Sequence, residues 1–270
     1  MNSPASELRA PAEAPVLFKR EASGIALVTL NRPAALNAIN AVIASALHNI
    51  VEEVEADRSV RAVVLTGAGE RAFCAGGDLV EIGAGRWPAL STPGGGFAGF
   101  TEHGRLKPWI AAIRGVALGG GLEIALACDM IVAAADARLG LPEVTRGVIA
   151  AAGGIYRLPR RLPRNIALEL IATGDPMPAE RAAALGLVNH LVPPDRDVLQ
   201  AACALAERIA GNAPIAVQES LRVARAAADG AEVEIKELAG RALAQVMGSA
   251  DAREGPLAFQ ERRRPMWTGT

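Results

Sequence analysis

Aromatic side chains are scarce in this sequence, with five Phe, three Trp and one Tyr making up 3% of the chain. That removes the stacking platforms on which single-stranded nucleic acid is usually held. Charge of one sign is also lacking. The 28 basic residues nearly balance 29 acidic ones, leaving −1 and no general field for nucleic acid or an anionic membrane. The three cysteines, Cys74, Cys128 and Cys203, lie far apart without metal-ligand spacing, as expected in a reducing compartment. His48 falls on the outward pattern of a helix, His103 at a loop edge and His190 in a short strand. None has a partner at ligand or triad spacing, so all three are read as structural. No apolar run reaches the ~18 residues of a membrane span. Residues 1–14 lack the apolar core of a signal and read as a disordered tail, so the expected location is cytoplasmic.

What the chain does hold is aliphatic. Hydrophobic residues make up 51%, enough for a sizeable core of Ala, Val, Leu and Ile. Val16 to Lys19 and Ile25 to Leu30 read as a hairpin across Ser23-Gly24. Asn40 caps a helix whose apolar positions from Val42 to Val54 follow helical spacing. Ala62 to Leu65 and Ile110 to Ile113 are continuous apolar runs of the buried parallel kind. The order apolar strand, glycine turn, helix recurs at 25–57, 62–83 and 110–127, a structural repeat without a literal one. Residues 83–100, with six glycines and two prolines, form a long loop. Beyond Gly154 helices are expected at about 155–161, 165–173 and 178–185, then a strand at 187–192. A boundary near Pro193-Pro194 leads into a mainly helical last third, with Pro214 opening one helix.

The stretch from Ala117 to Gly154 carries the chemistry. Glu123 follows Gly119-Gly120-Gly121, and Glu143 follows Pro142, each a lone carboxylate in apolar text. Burying such a group is costly unless it is paired or neutralised. Either glutamate alone fits the first turn of a helix with no further role. Together, beside glycine turns, they point to acid–base chemistry. The backbone N–H groups of Gly77 and Gly120 can aim two donors at one carbonyl oxygen, an oxyanion hole. A phosphate cradle is the rival, but no GxxxxGK[ST] is present and GGGLE lacks the GxGxxG spacing. Asp78 is placed as the cap of a helix beginning at Leu79. Cys74 and Cys128 read as inert buried thiols. Asp129 suits the orienting of a backbone amide. The run Arg157, Arg160, Arg161, Arg164 reads as a solvated face, and Arg262-Arg263-Arg264 could contact a phosphate.

The segments NRPAALNAIN, FCAGGDL, IRGVALGGGLEIALACD, LGLPEVTRGVIAAAGG and DAREGPLAFQERRRPMW resemble the crotonase superfamily, most closely enoyl-CoA hydratases, from about residue 15 to the end. The resemblance implies an α/β fold, a spiral of ββα units over residues 15–193. A helical region over 194–270 would build a homotrimer, commonly doubled to a hexamer. It implies that Gly77 and Gly120 hold a thioester oxygen while Glu123 and Glu143 hold a water above the C2=C3 bond. Ala35, Leu36, Ala38, Ala75, Gly76, Asp78, Leu79, Gly119 and Phe259 would line the acyl-CoA site. No separate cofactor or metal is implied, since coenzyme A arrives with the substrate. Two positions depart from the family: Val80 stands where Lys is frequent, and Ala150-Ala151 where Pro-Gly is frequent, so Ala151 is expected to supply an N–H near the water. The alternatives are a Δ3,Δ2-enoyl-CoA isomerase, for which Glu123 is superfluous, an RNA-binding relative, and a catalytically silent trimer.

Overall fold

A computed structural model describes residues 14–228 and 230–270. The tail expected at 1–14 therefore lies, but for Ala14, outside the described residues. Two sheets grow together along the chain. In the larger one, β1 (Val16–Arg20) pairs antiparallel with β2 (Ile25–Leu30), the expected hairpin. Parallel strands β3 (Ala62–Gly67), β7 (Trp109–Ile113), β9 (Met130–Ala134) and β12 (His190–Val192) follow in that order. The smaller sheet runs β11 (Met177–Pro178), β10 (Arg138–Gly140), β8 (Val116–Leu118), β4 (Ala72–Cys74). A two-stranded hairpin, β5 (Ser91–Thr92) with β6 (Gly96–Phe97), lies in the long loop.

Two of the repeats read from the sequence, 62–83 and 110–127, become units of a spiral. The stretch 25–57 gives β2 to the large sheet but no strand to the small one, and a further unit begins at β9. Three successive units each give one strand to the large sheet and the next to the small one, β3 then β4, β7 then β8, β9 then β10. After the second strand the first two units turn into a helix, α2 (Leu79–Gly83) and α3 (Gly120–Ala127). The third enters a 3₁₀ turn, Pro142–Arg146, and then α4 (Gly154–Arg161). The three turns that follow the small-sheet strands are thus equivalent positions of one spiral.

The central strands β3, β7 and β9 of the large sheet are buried on both faces, as their continuous apolar runs required. α1 (Ala41–Ala56) covers one side through Ile43, Leu47, Val51 and Val54, with Asn40 Oδ1 accepting the Ile43 N–H at 3.0 Å as its cap. α5 (Arg164–Thr173) and α6 (Ala179–Ala184) lead to β12, which is shorter than the expected 187–192 because Leu187 and Val188 instead pack into the core. The last third is helical, as expected: α7 (Val198–Ala210), α8 (Pro214–Ala226), α9 (Glu232–Gly248) and α10 (Asp251–Gln260). α7 buries Val198, Ala202, Ala206 and Ala210 in the same core as the sheet. Arg225 of α8 forks onto Asp129, whose Oδ2 also accepts the Trp109 N–H at 2.8 Å. Asp129 is thus a joint between helix and sheet, and the backbone amide it orients is that of Trp109.

Candidate active site

The spiral brings three turns together. Cys74 ends β4, and Ala75–Asp78 follow; Leu118 ends β8, and Gly119–Gly121 follow; Gly140 ends β10, and Pro142–Glu143 follow. Gly76 has φ +101°, a left-handed backbone that L side chains rarely adopt, and a Cβ there would meet the Gly120 nitrogen at 3.2 Å. The first two turns therefore touch through bare backbone. Neither the Gly77 nor the Gly120 N–H has a protein acceptor among the described residues. Gly120 opens α3, where an unpaired N–H is the ordinary state of a helix start.

Glu123 sits in the first turn of α3 and is 4% exposed. Its Oε1 accepts the Gly154 N–H at 2.9 Å, at the start of α4. Burial pushes the carboxyl up to about 7; the Gly154 and Ala152 amides pull against that rise, and neighbouring Glu143 adds to it. Glu143 Oε1 lies 3.1 Å from the point where a Cβ on Gly119 would stand, while its Oε2 is buried without a partner among the described residues. Burial raises this carboxyl too. The two glutamates, twenty residues apart in sequence, are brought to one place from equivalent turns. Burial raises both carboxyls and the neighbouring Glu143 adds to the rise at Glu123, so the two resist being ionised together.

The other expected residues form a ridge beside the Gly76 turn. The Ala75 N–H donates to the Leu36 carbonyl at 3.0 Å and the Ile39 N–H to that of Gly76 at 2.8 Å. Ala35, Leu36 and Ala38 therefore run alongside 75–78. Asp78 caps α2 as expected, accepting the Val80 N–H at 3.0 Å, and also pairs with Arg32 at 2.9 Å. Leu79 is exposed next to it. Phe259 is not tied to this ridge; it stands 85% exposed on α10, which packs against α9.

Several residues escaped the sequence reading. Phe97 is the first: a Cβ on Gly120 would fall 2.5 Å from its ring, which also lies near Gly77. The ring sits over both glycine turns, so the long loop supplies a wall of the site. Asn37, fully buried with φ +56°, donates to the Ala68 and Ala72 carbonyls at 3.0 and 2.8 Å and accepts the Arg32 N–H at 3.0 Å. It pins the ridge onto β4. No periodicity marks either residue.

Three expectations need correction. Ala151 does not offer its N–H to the glutamates; that group donates to the Ile149 carbonyl at 2.9 Å, and Gly154 is the amide on Glu123. The arginine run is not simply a solvated face. Arg157 donates to the Ala152 and Thr101 carbonyls and Arg161 to that of Cys128, because an open turn and the end of α3 leave carbonyls that need donors. The histidines are not all without partners: the His48 and His103 rings lie tilted against each other with centroids 5.2 Å apart. Cys74 and Cys128 are buried thiols, pushed up to about 12 by desolvation, as read. Arg263 is engaged by Glu254 and Glu261.

The family model for enoyl-CoA hydratase/isomerase matches residues 20–270. A carnitinyl-CoA dehydratase of Proteus mirabilis is 41% identical over 247 residues, covering 90% of this chain and 94% of its own. An enoyl-CoA hydratase structure from Mycobacterium tuberculosis superposes with a TM-score of 0.91 at 45% identity, over 96% of this chain and all of that one. A carnitinyl-CoA hydratase structure from Mycobacterium avium, also 45% identical with the same coverage, gives 0.74. The fold and paired turns define a crotonase-superfamily protein, and the chain belongs to the enoyl-CoA hydratase/isomerase family.

Proposed function

We propose that the protein is an enoyl-CoA hydratase, adding water across the C2=C3 bond of a trans-2-enoyl-CoA to give a 3-hydroxyacyl-CoA. The observation that carries this is the meeting of buried Glu123 and half-buried Glu143 next to two glycine N–H groups that have no acceptor among the described residues. The N–H groups of Gly77 and Gly120 receive the thioester oxygen and draw electron density from C3. Glu123 takes a proton from water as the oxygen bonds to C3. Glu143 gives its proton to C2, and a proton passed from Glu123 to Glu143 restores the pair. The Gly154 N–H on Glu123 Oε1 favours the charged form that a base needs, while burial raises both carboxyls toward the protonated form that an acid needs. In reverse the same groups eliminate water, so the relatives named as dehydratases and those named as hydratases fit one mechanism.

An isomerase that moves a proton between C2 and C4 needs one carboxylate. A second, held 4% exposed by a backbone amide, would then be a cost without a role, which favours the hydratase. Ala35, Leu36, Ala38, Ala75, Gly76, Asp78 and Leu79 form the path for coenzyme A, with Phe97 walling the acyl end. Phe259 serves that site only if a neighbouring copy presents it or α10 moves. The helices of 194–270, with Leu243 and Met247 exposed one turn apart on α9, are the trimerisation region. Turnover of a trans-2-enoyl-CoA in ¹⁸O-labelled water tests the reaction class: a hydratase places one labelled oxygen on C3, whereas an isomerase returns unlabelled thioester with a moved double bond.

A further inference from the structure

His48 and Glu52 lie one turn apart on α1, far from the two glutamates in sequence, and the loop after β6 carries His103 back over them. His48 Nε2 is 3.4 Å from Glu52 Oε1. One ring nitrogen from each histidine and a Glu52 oxygen all lie within 4.8 Å of one another, the one such group of three among the described residues. A metal bound at ~2.0–2.1 Å with tetrahedral angles needs ligand atoms ~3.4 Å apart, so the first pair already has the right spacing. The His103 nitrogen is the third atom of the group, within the same 4.8 Å of the other two.

The rings are also held in the tautomer a metal requires. His103 Nδ1 pairs with the Gly104 carbonyl at 3.0 Å. A carbonyl only accepts, so Nδ1 carries the proton and Nε2 keeps the lone pair. His48 Nδ1 pairs with the Thr92 hydroxyl at 3.0 Å, which can accept in the same way. Such partners on the far nitrogen are the usual support of a histidine ligand. The loop further locks His48, since a Cβ on Gly95 would fall 2.7 Å from its Nδ1, and one on Gly99 2.6 Å from its Cβ.

We propose that His48, Glu52 and His103 bind a divalent transition metal, Zn²⁺ in preference to Mg²⁺ or Ca²⁺, with water completing its shell. Two imidazoles and one carboxylate suit zinc and its neighbours, whereas magnesium and calcium take oxygen ligands. The metal would tie α1 to the loop carrying Phe97, and so fix the wall of the candidate active site from outside it. It takes no part in the reaction.

The test is calorimetric titration of the chelator-treated full-length protein with ZnCl₂ and with MgCl₂, repeated on Glu52→Gln and His103→Gln. Glu52 has a 63% exposed side chain, so its replacement should leave the fold intact, which a metal-free melt verifies. The expected result is one zinc per chain, a higher melting temperature with zinc, and at least about tenfold weaker binding in both variants. Absence of saturable zinc binding overturns the proposal, as does binding that either substitution leaves unchanged.

Discussion

Glu123 is where burial and chemistry meet. Its carboxyl rises from 4.5 to about 7 because it is desolvated. The folded chain therefore favours the protonated form; that advantage is complete below the ordinary value and lost as pH rises through about 7. Glu123→Gln is neutral at every pH. It should nearly match the parent stability at pH 4 and exceed it at pH 8 by up to about 3 kcal/mol. Denaturant melts at both values check this, and a variant less stable at pH 8 would contradict burial as the dominant cause. Hydration should also fall below pH 7 as Glu123 takes up a proton, giving an acidic limb in kcat. The residue was legible from the sequence because a lone charge in apolar text asks for a reason. Its amide partner was not, since Gly154 is joined to it across 31 positions by the spiral and not by any local pattern.

At the scale of elements, the glycine turns do the positioning. Gly153 has φ +130°, and a Cβ there would meet the Arg157 guanidinium at 2.0 Å. Gly153→Ala should displace the start of α4, cost at least about 1–3 kcal/mol of stability and weaken the Gly154 amide on Glu123. That amide holds the Glu123 value down, so the acidic limb of kcat should move to higher pH. An unmoved limb would show that Gly154 does not tune the base. Asn37→Ala strands the Ala68 and Ala72 carbonyls in the core. It should cost about 2–4 kcal/mol, a lost buried network at roughly 1–3 per orphaned group with some relaxation, read as a lower denaturation midpoint. The alternation of apolar strand, turn and helix marked the repeat at 62–83 and 110–127, whereas the spiral came from the resemblance. The unit that begins at β9 was missed because a 3₁₀ turn follows its second strand in place of a helix. Phe97 and Asn37 were invisible because what defines them is contact between units. The true end of β12 was equally hidden, since Leu187 and Val188 are apolar whether they pair in a strand or pack beneath one.

At the scale of the whole molecule, the proposed trimer would assemble through the last third of the chain. Leu243 and Met247, 61% and 63% exposed on α9, are apolar surface that a trimer would cover. Leu243→Glu with Met247→Glu should therefore shift sedimentation from trimer or hexamer toward monomer; an unchanged oligomer would place the interface elsewhere. The central claim is that two glutamates share the addition of one water. The most direct measurement follows the loss of enoyl-thioester absorbance with crotonyl-CoA, for the parent, Glu123→Gln and Glu143→Gln, with the product weighed by mass spectrometry. The account predicts a product heavier by one water from the parent and a rate lowered about 10²–10⁴-fold by either substitution, the usual worth of a general acid or base. Water addition that persists at the parent rate in either variant would contradict it.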